Sequence, residues 1–443
     1  MRKHILIVVG LCVLIGTAFL LWIGWPDTAR LDIAQVQGQR PVISAPRDQW
    51  IPTVRVAKAV GWAEGAKPVA AAGLTVAAYA AGLDHPRWLY RLPNGDILVA
   101  ETNSPPRKGG GIVARVMGFL MGRAGAGVPS ADRITLLRDA DGDGVPELRT
   151  IFMTGLHSPL GMALLDGQLY IANTDALVRV PYTDGMTKVA AKPELVVKLN
   201  GGGNHWGRNV IPAEDGKTLY VSVGSSSNIA ENGLEAERYR ANILQVWPKE
   251  KTFRIYAAGL RNPQGMALEP HSRQLWTVVN ERDMLGSDLT PDYLTAIELG
   301  DHFGWPWFYW GGYPDKRVEP TNVQLQQYSK RPDYALGPHV APLGLSFADG
   351  ATLGAAFTNG AFIGEHGSWN RVPISGYKVV FVPFGPTGWP VKGAKPVDVL
   401  TGFVDKDGAA QGRPVGVTLD KTGALLVADD VGNRIWRVSA AAK

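Results

Sequence analysis

The apolar positions of this chain fall into short alternating runs, and six of these runs follow copies of one sequence pattern. The pattern is Gly-Leu-x-x-Pro-x-Gly-Met-x-Leu, clearest in GLHSPLGMAL (155–164) and GLRNPQGMAL (259–268). Weaker copies begin near residues 82, 202, 340 and 412. After each copy come a turn, in four cases Asn-Gly or Asp-Gly, and an apolar run typical of a strand. The pattern therefore predicts antiparallel strand units repeated in series.

Sheet units in series indicate a β-propeller, because each sheet covers its faces with its neighbours. Six copies predict an all-β fold with six blades. Residues 73–443 give 371 residues, or about 62 per blade against roughly 40 for a minimal four-stranded one. The surplus is expected in loops, where binding and catalysis concentrate. We expect the run 73–83 to supply the outer strand that closes the ring against the last blade.

The N-terminus carries the longest apolar run. Arg2, Lys3 and His4 precede Ile5–Trp25, which is 21 residues without a charge and long enough to cross a hydrocarbon core of roughly 30 Å. We interpret 1–26 as an uncleaved membrane anchor, with a cleaved signal peptide as the alternative. Segment 27–72 is then a lead-in or stalk, and 73–443 is the propeller. The basic start predicts a domain on the periplasmic face of the inner membrane, or a secreted one if the segment is cleaved.

Composition excludes several classes of protein. With 45% apolar and 19% charged residues, the chain is not disordered. Its net charge of +5 is unclustered, which disfavours nucleic-acid binding. The single cysteine, Cys12, excludes internal disulfides and a cysteine-ligated metal. The eight histidines include no HxH or HxxxH pair, which disfavours a zinc site.

Unusual polar residues recur at equivalent places in the repeats. They are His205, Arg261, Asn262, Glu281, Arg282, Asp283, His339, Glu365, His366 and Arg413. Because corresponding positions in a ring of blades converge on the axis, we expect these side chains to share one pocket. Imidazole, guanidinium, amide and acidic groups together suit an anionic cofactor with a cation.

Two further stretches have a functional and a structural interpretation. Asp139, Asp141, Asp143 and Glu147 alternate around glycines between blades one and two, as in a loop that binds Ca²⁺, although the twelfth position is Thr150 rather than Glu. A solvated Asp-Gly turn is the alternative. The run GWPWFYWGG (304–312) is expected to pack in the core, with a pocket wall or a partner-binding patch as the alternative.

Five motifs in one order resemble the sorbosone dehydrogenase family. That family is part of the wider group of pyrroloquinoline quinone (PQQ)-dependent sugar dehydrogenases, which includes soluble glucose dehydrogenase and aldose sugar dehydrogenase. The resemblance runs from about Leu74 to Val438. The motifs are GNHWGRNVIPAEDGKTLYVSVGSSSN, GLRNPQGMAL, VVNERDMLGSDLTPDYL, GDHFGWPWFYWGG and GSWNRVPISGYKVVFVPF.

The resemblance implies that PQQ and Ca²⁺ lie at the top of a six-bladed propeller. It makes His205 the catalytic base and places Arg261 and Asn262 beside the reactive carbonyl of the quinone. Arg413 matches the family's arginine that binds a cofactor carboxylate.

The resemblance also implies a calcium-binding turn at Glu281, Arg282 and Asp283, partly through backbone carbonyls. Arg282 and His339 are expected beside the cofactor. Three departures concern the same pocket: Asn204 replaces an acidic residue of soluble glucose dehydrogenase, His339 replaces a threonine, and Glu365–Ser368 stands where a cofactor lysine is expected.

The expected function is oxidation of a sugar or sugar-derived aldehyde, such as sorbosone, by hydride transfer to PQQ. Electrons would then pass to a membrane quinone or a cytochrome. Two alternatives remain open. One is a non-catalytic surface propeller that binds protein or glycan through the aromatic run, and the other is a metal-dependent lactone hydrolase of the gluconolactonase type.

Overall fold

Six four-stranded antiparallel sheets form the body of the protein. The computed structural model describes residues 10–11, 13–17, 26–47, 53–106 and 111–441. The predicted six-bladed β-propeller is confirmed. Blade 1 contains the strands Pro86–Arg91, Ile97–Glu101, Arg133–Arg138 and Leu148–Met153. Blade 2 contains Met162–Leu165, Gln168–Ala172, Ala176–Pro181 and Glu194–Lys198. Blade 3 contains Val210–Pro212, Leu219–Val223, Asn242–Trp247 and Thr252–Ala258. Blade 4 contains Asn262–Leu268, Leu275–Asn280, Pro291–Ile297 and Tyr334–Pro338. Blade 5 contains Pro342–Phe347, Gly360–Glu365, Lys378–Pro383 and Val397–Thr401. Blade 6 contains Pro414–Leu419, Leu425–Asp429, Arg434–Ala440 and Leu74–Ala81.

The two ends of the propeller sequence meet in blade 6. Leu74–Ala81 pairs antiparallel with Arg434–Ala440, from Leu74 opposite Ala440 to Ala81 opposite Arg434. The first strand of the ring therefore supplies the outer strand of the last blade, as the sequence predicts. This pairing closes the ring by joining the two ends of the propeller sequence in one sheet.

The cores lie between adjacent blades. Second strands such as Leu219–Val223 and Leu425–Asp429 are buried at every position, because neighbouring blades cover both of their faces. One apolar cluster joins blades 5 and 6 through Phe362, Phe381 and Trp436. Continuous burial explains why these strands read as unbroken apolar runs rather than alternating ones.

Glycines of the repeat allow the innermost strands to approach each other closely. A Cβ on Gly265 would lie 2.7 Å from the backbone nitrogen of Leu345, and one on Gly416 would lie 2.8 Å from the carbonyl oxygen of Arg87. Both distances are too short for a side chain. The glycine after the repeat proline is therefore required by packing around the axis.

The lead-in segment packs on the propeller instead of standing apart as a stalk. Val69–Ala70 adds a fifth strand to blade 5. Gly38 forms a bridge with Ala335 of blade 4. The ring of Trp62 packs edge-on against Trp436, and its Nε1 donates a 2.7 Å hydrogen bond to Asp429. The described part of 27–72 is thus integral to the folded domain.

The predicted membrane anchor lies largely outside the described residues and stays a prediction. Where the chain is described, no helix combines the length and apolarity needed to span a membrane. Among the described residues, 10–11 and 13–17 are helical, and the other helical segments outside the blades are the α-helix Ile112–Arg123 and the 3-10 turns Ile33–Val36, Leu234–Glu237, Val323–Tyr328 and Ala355–Phe357. A small hairpin pairs Phe308–Tyr309 with Tyr313–Pro314.

The aromatic run 304–312 packs in the interior, as its default interpretation predicts. Trp305, Phe308, Tyr309 and Trp310 are buried, and Tyr309 and Trp310 belong to the core cluster beneath blade 4. Their burial leaves too little surface for the alternative of an aromatic partner-binding patch.

Candidate active site

A cavity of about 860 Å³ opens at one end of the propeller axis. Eight of the ten polar residues singled out from the repeats line it, namely His205, Arg261, Asn262, Glu281, Asp283, His339, His366 and Arg413. They come from the loops that lead into first strands or follow second strands. The expected convergence on the axis is therefore confirmed for these eight side chains.

In five of the six blades the repeat proline lies at or near the start of the first strand, at its cavity end. Pro342 lies opposite Glu365, and Pro414 lies opposite Asp429, at the cavity end of the first two strands. A residue just before the proline, such as Arg413, is then at the mouth of the channel. His205 lies in the loop before Val210–Pro212 rather than in the strand itself.

The imidazole of His205 is half-buried and held in one tautomer. Its Nδ1 lies 2.9 Å from both the carbonyl oxygen and the hydroxyl of Ser225. The hydroxyl donates its own hydrogen to the carbonyl of Ser227, at 2.7 Å. Both neighbours of Nδ1 therefore act as acceptors, so Nδ1 carries the proton and Nε2 is the basic nitrogen. Burial and the nearby Arg261 guanidinium hold the pKa of His205 well below its usual value of 6.5.

Arg261 is fixed by carbonyl and carboxylate oxygens around the cavity. Its Nη1 donates to the carbonyl of Glu281 at 2.6 Å, and its Nη2 lies 2.9 Å from the carboxylate of Asp283. Asn228 accepts a 2.9 Å hydrogen bond from the same Nη2. Trp305 donates to the carbonyl of Asn228 at 2.9 Å. The guanidinium is thus preorganised before any ligand arrives.

Three carboxyl groups lie together on one side of the cavity. Burial raises the pKa of Glu281, and it raises the pKa of Asp292 to about 7. Burial would also raise the pKa of Asp283, but the Arg261 charge and the contact with His339 hold it below its usual value. Oε1 of Glu281 is buried without a hydrogen-bond partner among the described residues. This oxygen is an open donor for a cation.

His339 lies against the same acidic group. Its Nε2 is 3.1 Å from the carbonyl oxygen of Gly286, and its Nδ1 is 3.6 Å from Asp283. Burial alone would lower the pKa of His339, but its contacts with Asp283 raise it overall. The contact with Asp283 therefore favours the protonated form of His339.

A second charged group surrounds Arg413 on the opposite side. Its Nε and Nη2 each donate a 2.9 Å hydrogen bond, to the carbonyls of His366 and Gly367. Asp430 binds Nε2 of His366 at 2.8 Å and Nη1 of Arg87 at 2.6 Å. Burial and the charge of Arg413 lower the pKa of His366 to about 3. Arg87 and Arg413 both line the cavity.

Arg282 and Glu365 lie outside the cavity. The Arg282 side chain is 1% exposed and pairs with Asp315, which corrects the expectation that it contacts a cofactor. The orientation of the Arg282 side chain depends on Asp315, which lies 33 positions further along the chain. Glu365 is fully buried, and both of its carboxyl oxygens lack hydrogen-bond partners among the described residues.

The acidic loop lies within blade 1, between its third and fourth strands, and not between two blades as the sequence reading placed it. One carboxylate oxygen from each of Asp139, Asp141, Asp143 and Glu147 lies within 4.8 Å of the others. Arg138, just before the loop, pairs with Asp96 at the end of the blade remote from the cavity. Calcium binding here stays a prediction, and the loop is far from the candidate active site.

Sequence reasoning missed several residues that shape the cavity. Asn228, Asp292, Asn370 and Asp430 each hold a predicted residue in place, and Arg87 pairs with Asp430. Asp430 could have been found, because it directly follows the second strand of blade 6 as Glu281 follows that of blade 4. Asn228 lies in an irregular loop and has no repeat signal.

Comparisons with known proteins identify relatives and a shared fold. A protein of unassigned function from Borreliella burgdorferi is 31% identical over 300 residues, which cover 64% of this chain and 76% of that protein. The Trichoderma reesei carbohydrate-active enzyme of family AA12 superposes with a TM-score of 0.68 at 18% identity, over 88% of this chain and 100% of that one. The holo PQQ domain of pyranose dehydrogenase from Coprinopsis cinerea gives 0.67 at 20% identity, over 87% and 100%. At these identities the two structures show the shared fold.

A protein-family model gives the classification. The model described as TrAA12-like matches residues 68–299 and 291–441, which together span the whole propeller. The matched region includes every residue that lines the cavity. This chain belongs to the TrAA12-like family.

Proposed function

We propose that this protein is a PQQ-dependent dehydrogenase that oxidises a sugar or a sugar-derived aldehyde such as sorbosone. The observation that carries the proposal is the convergence of a neutral imidazole, His205, with the guanidinium groups of Arg261 and Arg413 in one cavity. Related structures whose names include PQQ and pyranose dehydrogenase support the choice of cofactor.

The residues of the cavity fit PQQ, which is a planar quinone with three carboxylates. Arg87, Arg261 and Arg413 supply three guanidinium groups, and arginine binds carboxylates by paired hydrogen bonds. We propose that Arg413 and Arg87 bind cofactor carboxylates, and that Arg261 and Asn262 lie beside the reactive carbonyl. A cavity of about 860 Å³ has room for both the cofactor and a substrate.

The acidic side of the cavity fits Ca²⁺. Hard cations prefer carboxylate and carbonyl oxygens, and Glu281 offers an unpartnered buried oxygen there. The backbone carbonyls of Glu281 and Asp283 already accept hydrogen bonds from Arg261 and Asn228. We therefore assign the carboxylate of Glu281, with Asp283 beside it, as the main protein ligand.

The chemistry requires a base, a stabilised acceptor and an oriented substrate. Bound PQQ would supply the two-electron hydride acceptor, and Ca²⁺ would polarise it. Nε2 of His205 takes the proton of the substrate hydroxyl, because it is the unprotonated nitrogen and its low pKa keeps the ring neutral. With PQQ bound, Arg261 would stabilise negative charge on the quinone oxygen beside it, and a preorganised donor of this kind is worth roughly 3–4 kcal/mol.

We further propose that the enzyme works on the periplasmic face of the inner membrane, held by residues 1–26. Electrons would leave for a membrane quinone or a cytochrome. The charged N-terminus followed by 21 uncharged residues supports this placement.

A dye-linked assay tests the proposal. Purified protein without cofactor is mixed with PQQ and Ca²⁺, separately and together, and a panel of aldoses, aldehydes and alcohols is supplied. We expect dye reduction only when both are present, and none with the His205→Asn variant. Folded protein that binds PQQ yet reduces no dye with any substrate would contradict the proposal, and hydrolysis of a lactone without quinone would favour the hydrolase.

A further inference from the structure

One wall of the cavity comes from a single insertion in blade 1. The blade 1 insertion joins the second and third strands of that blade. Its described residues are 102–106 and 111–132, and they contain the helix Ile112–Arg123. It contributes eight apolar side chains to the cavity lining: Pro105, Pro106, Met117, Met121, Ala124, Ala126, Val128 and Pro129. The opposite walls, described above, are charged. The cavity therefore has a polar floor and an apolar side.

Several polar groups of the insertion are bonded within it, whereas the Arg115 side chain also lines the cavity and adds one charged group to the helix. The side-chain amide of Asn103 donates to the carbonyls of Ala126 and Val128, at 3.2 and 2.7 Å. The hydroxyl of Ser130 donates to Asp132 at 2.5 Å and accepts from the backbone N–H of Asn103. These bonds fix the ends of the insertion to each other. Much of the surface that the insertion presents to a ligand is therefore formed by its apolar side chains.

The insertion is seated directly beside the residues assigned to the cofactor. Nη1 of Arg413 donates to the carbonyl of Ala124 at 3.4 Å, at the C-terminal end of the helix. Gly125 follows with a φ of +90°, and a Cβ there would lie 2.8 Å from Val431 of blade 6. Ala59 of the lead-in donates its backbone N–H to Arg123 at 2.8 Å. The wall thus adjoins the cofactor site and is held on two sides.

The helix presents one face to the cavity and another to solvent. Met117 and Met121 are four residues apart and so lie on the same face, and both line the cavity. Phe119 lies on the other face and is 66% exposed. The helix therefore has apolar side chains that face the cavity and another, Phe119, that faces solvent.

We propose that the apolar wall binds an apolar group carried by the substrate, so that the preferred substrate is an alcohol or aldehyde with an attached alkyl or aryl group. This inference rests on the proposed dehydrogenase activity and extends its substrate class beyond unsubstituted sugars. Methionine side chains adapt to apolar ligands of different shape, which suits a wall of this kind. Bare aldoses place only hydroxyl groups against it and gain little from the contact.

A homologous series of substrates tests the wall. Straight-chain aldehydes from two to eight carbons are compared by kcat/KM in the reconstituted enzyme. Each methylene buried against the wall is expected to raise kcat/KM about fourfold until the wall is filled. In the double variant Met117→Ser, Met121→Ser the gain per methylene falls towards one, whereas the control Phe119→Ser keeps the wild-type gain.

Binding gives a second readout that does not need turnover. Calorimetric titration with 1-octanol is expected to show weaker binding to the double variant than to wild type or Phe119→Ser. The inference would be overturned by a kcat/KM that is independent of chain length. It would also be overturned if the double variant and Phe119→Ser lost the same gain in kcat/KM per methylene. In either case, oxidation of sugars by the enzyme would still support the proposed function. Absence of any dye reduction would contradict the proposed function. The comparison of octanol binding between wild type and the double variant would then test by itself whether the wall binds an apolar group.

Discussion

Nδ1 of His205 lies 2.9 Å from the carbonyl oxygen of Ser225, so the basic nitrogen of this imidazole is Nε2. Arg240 donates to the same carbonyl at 2.9 Å and to the His205 carbonyl at 2.8 Å. The loop that carries the base is therefore tied to the second strand of blade 3. A neutral, oriented imidazole results without a carboxylate partner for the ring.

Replacing His205 by Asn removes the base and keeps a polar side chain. We expect kcat to fall by about 10²–10⁴-fold, the usual contribution of a general base, with PQQ affinity nearly unchanged. Ser225→Ala is the matched control, since it removes the hydroxyl contact and keeps the carbonyl acceptor. Steady-state kinetics and cofactor titration separate the two effects, and a His205→Asn enzyme with wild-type kcat would exclude this residue as the base.

The low pKa of His205 predicts an unusual pH profile. The imidazole is an active base above its own pKa, and burial followed by the Arg261 charge holds that pKa well below 6.5. We expect kcat/KM to stay level as the pH is lowered through 6.5 and to fall only in more acidic buffer. Arg261→Gln should move this acid limb to higher pH, because it removes a neighbouring positive charge. A wild-type limb centred at or above 6.5 would show that the base is not this imidazole.

Arg413→Lys keeps a positive charge and loses the guanidinium geometry. Lysine cannot hold the carbonyls of His366 and Gly367 and also offer paired donors to a carboxylate. Hydrogen bonds to charged groups are worth about 1.5–3 kcal/mol, so we expect the Kd for PQQ to rise roughly 10–100-fold. Arg238→Lys on the exposed surface is the control. Equal Kd values for all three proteins would remove Arg413 from the cofactor site.

Glu365 predicts a change in stability with pH. Burial raises its pKa from 4.5 to about 8 in the folded protein, so the folded state holds a proton that the unfolded state has released between these pH values. The free energy of unfolding therefore falls as the pH rises from about 4.5 to 8, by up to about 1.4 kcal/mol per pKa unit.

Glu365→Gln removes this component of the stability. We compare the free energy of unfolding in urea between the variant and wild type. We expect this difference to favour the variant more strongly at pH 8 than at pH 5. Glu298→Gln at an exposed site is the control, and its difference from wild type should not grow with pH. A difference for Glu365→Gln that is constant or shrinks would mean that this carboxyl group ionises normally.

The fold was predictable because its signals are local. Each blade carries its own turn, the repeat proline is present in five of the six blades, and the glycine two residues later is present in four. Gly265 and Gly416 lie where the first strands of adjacent blades approach each other closely. The repeat also places Arg261 and Arg413 at the cavity end, since both precede the proline of their blades. A residue at a repeated position can thus be located without coordinates.

The parts that escaped prediction depend on contacts between distant segments. Arg282 follows Glu281 directly, yet its side chain turns to Asp315, a partner that no spacing rule identifies. The blade 1 insertion has no counterpart in the repeat, so its position over the cavity is visible only in the folded chain. Packing of 27–72 on blades 4, 5 and 6 likewise follows from individual contacts such as that of Trp62 with Asp429.

Calorimetric titration of PQQ into the Ca²⁺-loaded protein tests the central claim most directly. The account predicts one PQQ per chain for wild type and for Arg238→Gln, and a large loss of affinity for the double variant Arg261→Gln, Arg413→Gln. Folded wild-type protein that takes up no PQQ, or a double variant that binds it as tightly as wild type, would contradict the account.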